Sequence, residues 1–237
     1  MIIYGINPVL EALRAGRVKA LRVGNRADDR LKQLLALAAE RGVPVRRVPA
    51  DALERESRRG VHQGVVAEIE KAAGYSLDEI VGGASSPPLL VVVDGVEDPH
   101  NLGAILRTAD AAGADGVILT GHSVDAYNPK VVRSTTGSIF HIPVAQGISL
   151  EAALDAVRAA GVRILAADIK GDDLPDIRAE LSQPTAWLFG NEARGLSDES
   201  LGLADRVVKV PIYGHAESLN LATAASVCLY QSAFAQR

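Results

Sequence analysis

The chain has 237 residues, 48% of them hydrophobic, with a mean hydropathy of +0.12 and a net charge of −4 at pH 7. That composition fits a packed globular protein rather than a disordered one; a single cysteine excludes an intramolecular disulfide or thiolate zinc cluster, and five scattered histidines suggest no metal box. No apolar run approaches the roughly 20 residues of a membrane helix, and the first residues carry neither the basic lead nor the apolar stretch of a signal peptide, so a soluble, cytoplasmic, metal-free protein is expected.

Charge is unevenly distributed. Residues 1–72 hold 14 Lys and Arg against 9 Asp and Glu, whereas residues 73–237 hold 11 against 20. Such a basic front suggests a module that meets a polyanion, although a surface of this size also scatters charge by chance.

In chain order, Asn7-Pro8 reads as a helix N-cap followed by proline at the first helical position. Val9, Leu10 and Leu13 form its apolar face, and residues 20–23 follow as a short strand. Leu31, Leu34, Leu35 and Ala38 recur at helical spacing up to a C-terminal glycine, Gly42. Residues 43–48 and 65–69 read as strands around a helix over 50–59. An α/β/α module over residues 1–72 is therefore expected. A turn-rich linker over 73–88 follows.

Residues 89–94 are an unbroken apolar run, as in a strand buried on both faces of a parallel sheet. A helix over 102–112, a strand at 116–119, a helix over 129–136 and a strand at 141–144 come next. Ser149 caps a helix ending at Gly161. Strands over 162–167, 186–189 and 206–210 and a closing helix over 218–235 complete a strand–helix alternation. The pattern predicts a mostly parallel sheet covered by helices over residues 89–237.

No G-x-G-x-x-G follows a strand, and neither a P-loop nor a G-x-S-x-G elbow is present, so the common nucleotide and hydrolase signatures are missing. Polar residues crowd three loops at strand ends instead, where open α/β sheets bind ligands. The first loop carries Asn101, a possible helix cap, and Arg107, whose fork of donors suits a phosphate or developing oxyanion or else pairs with Asp110 or Glu97. The second runs Phe189-Gly190-Asn191-Glu192 to Gly195-Leu196-Ser197; its glycines permit close backbone approach, and Ser197 suits an N-cap. Glu192 reads either as a solvated carboxylate or as an active-site orienter. The third, Val210-Pro211-Ile212 to Ser218-Leu219-Asn220, contains His215 without a visible partner and opens the last helix, which Ser218 suits as a cap.

In this order the three segments resemble the motifs of the SpoU (TrmH-like) branch of the SPOUT RNA methyltransferases. Asn128-Pro129-Lys130-Val131-Val132-Arg133-Ser134 with Gly137 is similar to a further segment of that branch. Tyr4-Gly5-Ile6-Asn7-Pro8-Val9 and Gly60-Val61-His62-Gln63-Gly64-Val65 resemble the small RNA-binding domain found on many ribosomal RNA members. Together these motifs cover nearly the whole chain.

The resemblance implies a C-terminal domain with a deep trefoil knot, S-adenosylmethionine (AdoMet) as cofactor, a homodimer with both subunits near the substrate, and methyl transfer to a ribose 2′-oxygen. Gly190, Val210, Ile212 and Leu219 would hold the cofactor. Asn101, Arg107, Glu192, Ser218 and Asn220 would form the catalytic, RNA-facing set, with no metal. His215 and Glu217 lie where members vary, and Ala222 replaces the usual small polar residue. With few aromatics for base stacking, RNA contacts are expected from Arg46, Arg47, Arg55, Arg58, Arg59, Lys130 and Arg133. The expected substrate is a guanosine of 23S ribosomal RNA, with neither DNA nor a membrane as partner. The alternatives are the same chemistry on tRNA, an antibiotic-resistance methylase, and a noncatalytic RNA-binding or ribosome-assembly factor.

Overall fold

A computed structural model of the chain describes residues 1–25, 28–70 and 74–237. The expected boundary at residues 72 and 73 lies outside the described residues. In chain order the first elements are β1 (Ile2–Tyr4), α1 (Ile6–Arg14), β2 (Val18–Val23), α2 (Asp29–Glu40), β3 (Val45–Arg47), α3 (Ala50–Glu56) and β4 (Val65–Ile69). Then follow α4 (Leu77–Gly82), β5 (Leu89–Asp94), α5 (Pro99–Ala112), β6 (Gly116–Thr120), α6 (Pro129–Ser134), β7 (Val144–Ile148), α7 (Leu150–Ala159) and β8 (Arg163–Asp173). The last are β9 (Thr185–Phe189), α8 (Asp198–Gly202), β10 (Arg206–Lys209) and α9 (Leu221–Gln236).

These elements form two compact units, Met1–Ala73 with Tyr127–His141, and Gly74–Ala126 with Ile142–Arg237. The first has a four-stranded sheet in the order β1-β4-β2-β3, in which only the β2–β3 pair is parallel. Ile6, Val9 and Leu13 put the apolar face of α1 into its core with Leu21, Leu31, Leu34 and Val66. Asn7 does not cap this helix. Gly5 takes the cap position at φ 97°, and the Gln63 side chain, 57 residues on, accepts the Ile6 amide at 2.9 Å. A residue distant in sequence thus does the work expected of Asn7.

Residues 127–141 join this unit although they lie between two strands of the other. Val131, Val132 and Ile139 are buried, and Glu11 on α1 pairs with His141 at 3.0 Å. Gly137, at φ 117°, lies where any Cβ would run into the Glu11 side chain.

The second unit is built on a six-stranded, all-parallel sheet in the order β10-β8-β9-β5-β6-β7. β5, β6 and β9 are buried almost throughout, which explains their unbroken apolar runs. The stretch 73–88, expected as a linker, contains α4. A Ser76–Glu79 capping box opens that helix, and Ile80 packs into the sheet's core. The strand expected at 141–144 begins only at Val144, because Pro143 has no N–H to give the ladder; its carbonyl accepts from Val117. β8 runs on to Asp173 and its pairing with β10 jumps from Ala166 to Asp172, leaving residues 167–171 out of the ladder. On the covering layer, the buried Trp187 donates its indole N–H to Ser232 of α9 at 2.9 Å.

Candidate active site

The carboxyl ends of β5, β8, β9 and β10 lie side by side, so four loops converge on one end of the sheet. Asn191 ties two of them together. Its Oδ1 accepts from the Ala193 and Arg194 amides, and its Nδ2 donates to Gly95 O at 2.8 Å and to Glu97. Arg194 adds an ion pair to Glu97 at 3.2 Å. Gly190 is glycine because a Cβ would collide with the Gly195–Leu196 backbone that folds back over it, rather than to admit a ligand.

Glu192 is the centre of the polar cluster. Its carboxylate accepts from the amides of Glu97 at 3.1 Å and Asp98 at 3.0 Å and from Asn101 Nδ2 at 3.2 Å. Partial burial pushes its pKa up, but the amide donors of Asp98, Glu192 itself and Glu97, with Asn101, outweigh that and hold it below the ordinary range. Asn101 in turn accepts from Asn220 Nδ2 at 3.0 Å, while Asn220 Oδ1 caps α9 by accepting from Ala222 and Thr223. Every amide orientation in this relay is determined by its neighbours.

Two capping expectations change here. Asp98 caps α5 by accepting the His100 amide, so Asn101 is free to face Glu192. Asn220 caps α9, and Ser218 stands outside the helix. Ser197 does cap the short α8. Ala222 serves the cap through its backbone, so no polar side chain is needed there.

Beside the cluster is a cavity of about 390 Å³, within the range of small-molecule sites. Gly190, Val210, Ile212 and Leu219 line it, with Glu192 and Ser218. Sequence reasoning missed one wall, residues 167–170, which bulge from β8. The available signal was Gly171, four residues beyond the expected strand over 162–167; it falls inside the observed β8, where any Cβ would clash with the Val207–Val208 backbone. An apolar floor of Leu196 and Val208 with a polar rim of Asp168, Asn191 and Lys170 suits a molecule with a flat heterocycle and a charged tail.

Arg107 is not drawn into the relay. It is exposed on α5, six residues beyond Asn101, and among the described residues it makes no hydrogen bond or ion pair, so the alternatives of Asp110 and Glu97 fall away. Arg46, Arg47, Arg58, Arg59, Lys130 and Arg133 are all exposed and all belong to the first unit. Arg55 contacts Asp51 at 3.5 Å. His215 and Glu217 are exposed in the loop before α9. Among the described residues no three His, Cys, Asp or Glu converge as metal ligands would, and no helix is long and apolar enough to cross a membrane.

A parallel α/β sheet with a cofactor-sized cavity and an amide–carboxylate relay at its carboxyl edge defines a ligand-binding α/β protein. Comparison with known proteins makes this specific. Residues 88–230 match the SpoU rRNA methylase family, and residues 2–74 match the RNA 2′-O ribose methyltransferase substrate-binding family. The chain belongs to the SpoU rRNA methylase family. It is 36% identical over 238 residues to the 23S rRNA (guanosine-2′-O-)-methyltransferase RlmB of Pseudomonas putida, covering 97% of this chain and 94% of that one. Among solved structures it is similar to the SpoU methyltransferase AviRb of Streptomyces viridochromogenes in complex with AdoMet, with a TM-score of 0.82, 33% identity, and coverage of 99% and 89%. It is also similar to the AdoMet-bound rRNA methyltransferase of Sinorhizobium meliloti, with a TM-score of 0.80, 35% identity, and coverage of 98% and 85%.

Proposed function

We propose that this chain is an AdoMet-dependent methyltransferase that modifies the ribose 2′-hydroxyl of a guanosine in 23S ribosomal RNA, in the cytoplasm. The observation that carries the reading is the Glu192–Asn101–Asn220 relay at the rim of the 390 Å³ cavity, in a chain that matches the family over both its parts. The guanosine of large-subunit RNA comes from the likeness to the Pseudomonas putida enzyme across nearly both full lengths. A noncatalytic role is disfavoured because the relay is complete.

AdoMet, when bound, supplies a methyl group on a positively charged sulfonium. Gly190, Val210, Ile212 and Leu219 would hold it against the apolar floor. Glu192 is already met by three donors, so its part is to fix Asn101 and Asn220 rather than to take a proton. The ribose hydroxyl therefore releases its proton elsewhere, to water or a phosphate. Arg107 does not act as a base, since a guanidinium keeps its proton in proteins. Its contribution is to stabilise the developing alkoxide and grip the adjacent phosphate. Holding hydroxyl and methyl donor in line supplies much of the remaining rate.

Arg107 stands apart from the relay within one chain, which suits the homodimer implied by the family, in which both subunits approach the substrate. Tyr230 and Phe234, with ring centroids 5.5 Å apart, are exposed on α9, and Phe234 is 70% exposed. An exposed aromatic pair of this kind is what a subunit interface covers. The deep trefoil knot and the site assignments belong to the same reading. Methyl transfer from radiolabelled AdoMet to separate transcripts of 23S rRNA, 16S rRNA and tRNA tests it. Label in 2′-O-methylguanosine from the 23S pool alone is expected. Label only in tRNA would overturn the substrate, and failure to bind either AdoMet or RNA would overturn the activity.

A further inference from the structure

The first unit carries a second cavity, of about 650 Å³, between Gly24 and Asn25 after β2 and the turn joining α3 to β4. Gly24, Leu53, Glu54, Arg59, Val61 and His62 are the lining residues that give it chemical character. Leu53 is buried and forms an aliphatic floor, and Val61 stands 57% exposed at the wall. Gly24 donates to Gly64 O at 3.0 Å, and a Cβ there would press on Leu53 at 3.3 Å, so the floor is kept open.

The wall bearing Arg59 is held in an unfavourable conformation. Arg58 and Arg59 are consecutive non-glycine residues in the left-handed region, at φ 51° and 61°, and Gln63 is a third at 53°. That region is disfavoured for L-residues, whose Cβ crowds the following carbonyl there. Local contacts hold it. The buried Ser57 hydroxyl reaches the carbonyls of Glu54 and Gly60, Arg59 N donates to Glu54 O at 2.8 Å, and the Tyr4 ring occupies the space a Gly60 side chain would need. Strain maintained in this way is concentrated at ligand sites rather than spread evenly through folds.

The polar groups have defined roles. His62 Nδ1 accepts the Gly64 amide at 3.0 Å, which places the proton of a neutral imidazole on Nε2 as a donor. Arg59 has no ion-pair partner among the described residues. Glu54 is the acceptor on the α3 wall. An aliphatic floor, an unpaired guanidinium, an N–H donor and a carboxylate match the two faces, phosphate and hydrogen-bonding edge of one nucleotide. The surroundings suit an RNA strand: Met1–Ala73 and Tyr127–His141 together carry 16 Lys and Arg against 9 Asp and Glu.

We propose that this cavity receives a single unpaired nucleotide of the RNA substrate, its base against the exposed Val61 above the buried Leu53, its phosphate at Arg59 and an N–H-bearing base edge toward Glu54. The nucleotide is unpaired because bases inside an A-form helix do not present their faces. The inference rests on the RNA reading above and adds a specific recognition point to it.

Two measurements on the full chain test the pocket. The first is methyl-transfer kinetics on a 23S rRNA transcript with Arg59→Gly and Val61→Glu. Both variants are expected to raise the KM for RNA about tenfold while AdoMet affinity stays unchanged. Arg59→Gly separates binding from folding, because glycine suits φ 61°: its melting temperature should hold or rise. The second is amide chemical shifts on adding millimolar guanosine monophosphate, which should move Gly24, Gly60 and Gly64. Parent-like KM values with no shift at these amides would overturn the pocket and leave the methyltransferase reading standing. A raised KM that comes with a lowered melting temperature in Arg59→Gly, and without shifts, would reduce Arg59 to a structural part. If the parent chain neither binds nor methylates rRNA, the RNA reading falls and the pocket falls with it.

Discussion

The candidate site residues of the two units differ in how far they are already partnered. In the sheet unit, the groups around the cofactor-sized cavity satisfy one another: Glu192, Asn101 and Asn220 are joined in one relay and Asn191 pins two loops. In the N-terminal unit, Arg46, Arg58, Arg59, Lys130 and Arg133 form no ion pair among the described residues, and two of them sit on strained backbone. The contrast fits the two tasks proposed for these residues. Aligning a methyl donor with a hydroxyl needs groups fixed before the substrate arrives. Gripping a polyanion needs cations whose partners are still to come.

The largest test of this contrast removes the one catalytic candidate that behaves like the first unit's cations. Arg107→Ala should lower kcat about 100- to 1,000-fold while calorimetry still finds parent-like AdoMet binding; full methyl transfer by the variant would sink its assigned role. Asn220→Ala breaks the relay and the α9 cap together. It should cost about 1–2 kcal/mol of stability and about 100-fold in activity, read by denaturant melts and single-turnover kinetics. Were only stability to fall, Asn220 would be a cap and nothing more.

A smaller effect is expected from Lys130→Ala combined with Arg133→Ala. The RNA-binding constant should become less salt-sensitive, with the log–log slope shallower by roughly 0.7–0.9 for each phosphate contact removed. An unchanged slope would take these residues off the RNA surface. The smallest effect is one of pH. Glu192 is held below its ordinary value, so its stabilising contribution is fully present above the unfolded carboxylate pKa of about 4.3 and is lost as pH falls through the lower folded value. AdoMet affinity should therefore show no Glu192 step between neutrality and about pH 5. A titration step near pH 6 assigned to this carboxylate would contradict the amide cage.

How far the sequence alone reached depended on the range of the interaction. The parallel sheet was legible because buried strands such as 89–94 are unbroken apolar runs, and Ser149 and Ser197 were readable as caps because each bonds to a residue three positions on. Polar residues at the strand ends were readable too, and the cavity and relay are built largely from them. What tertiary structure decided was the partner of each. Gln63 caps α1 across 57 residues, and Asn101 meets Glu192 and Asn220 from 91 and 119 residues away. The joining of residues 127–141 to the first unit, and the bulge of residues 167–171 into the cavity wall, are likewise matters of packing. Local periodicity and capping act within a few residues and are written in the sequence. Hydrogen-bond partners brought together by sheet order depend on which strands become neighbours, and only the folded chain settles that.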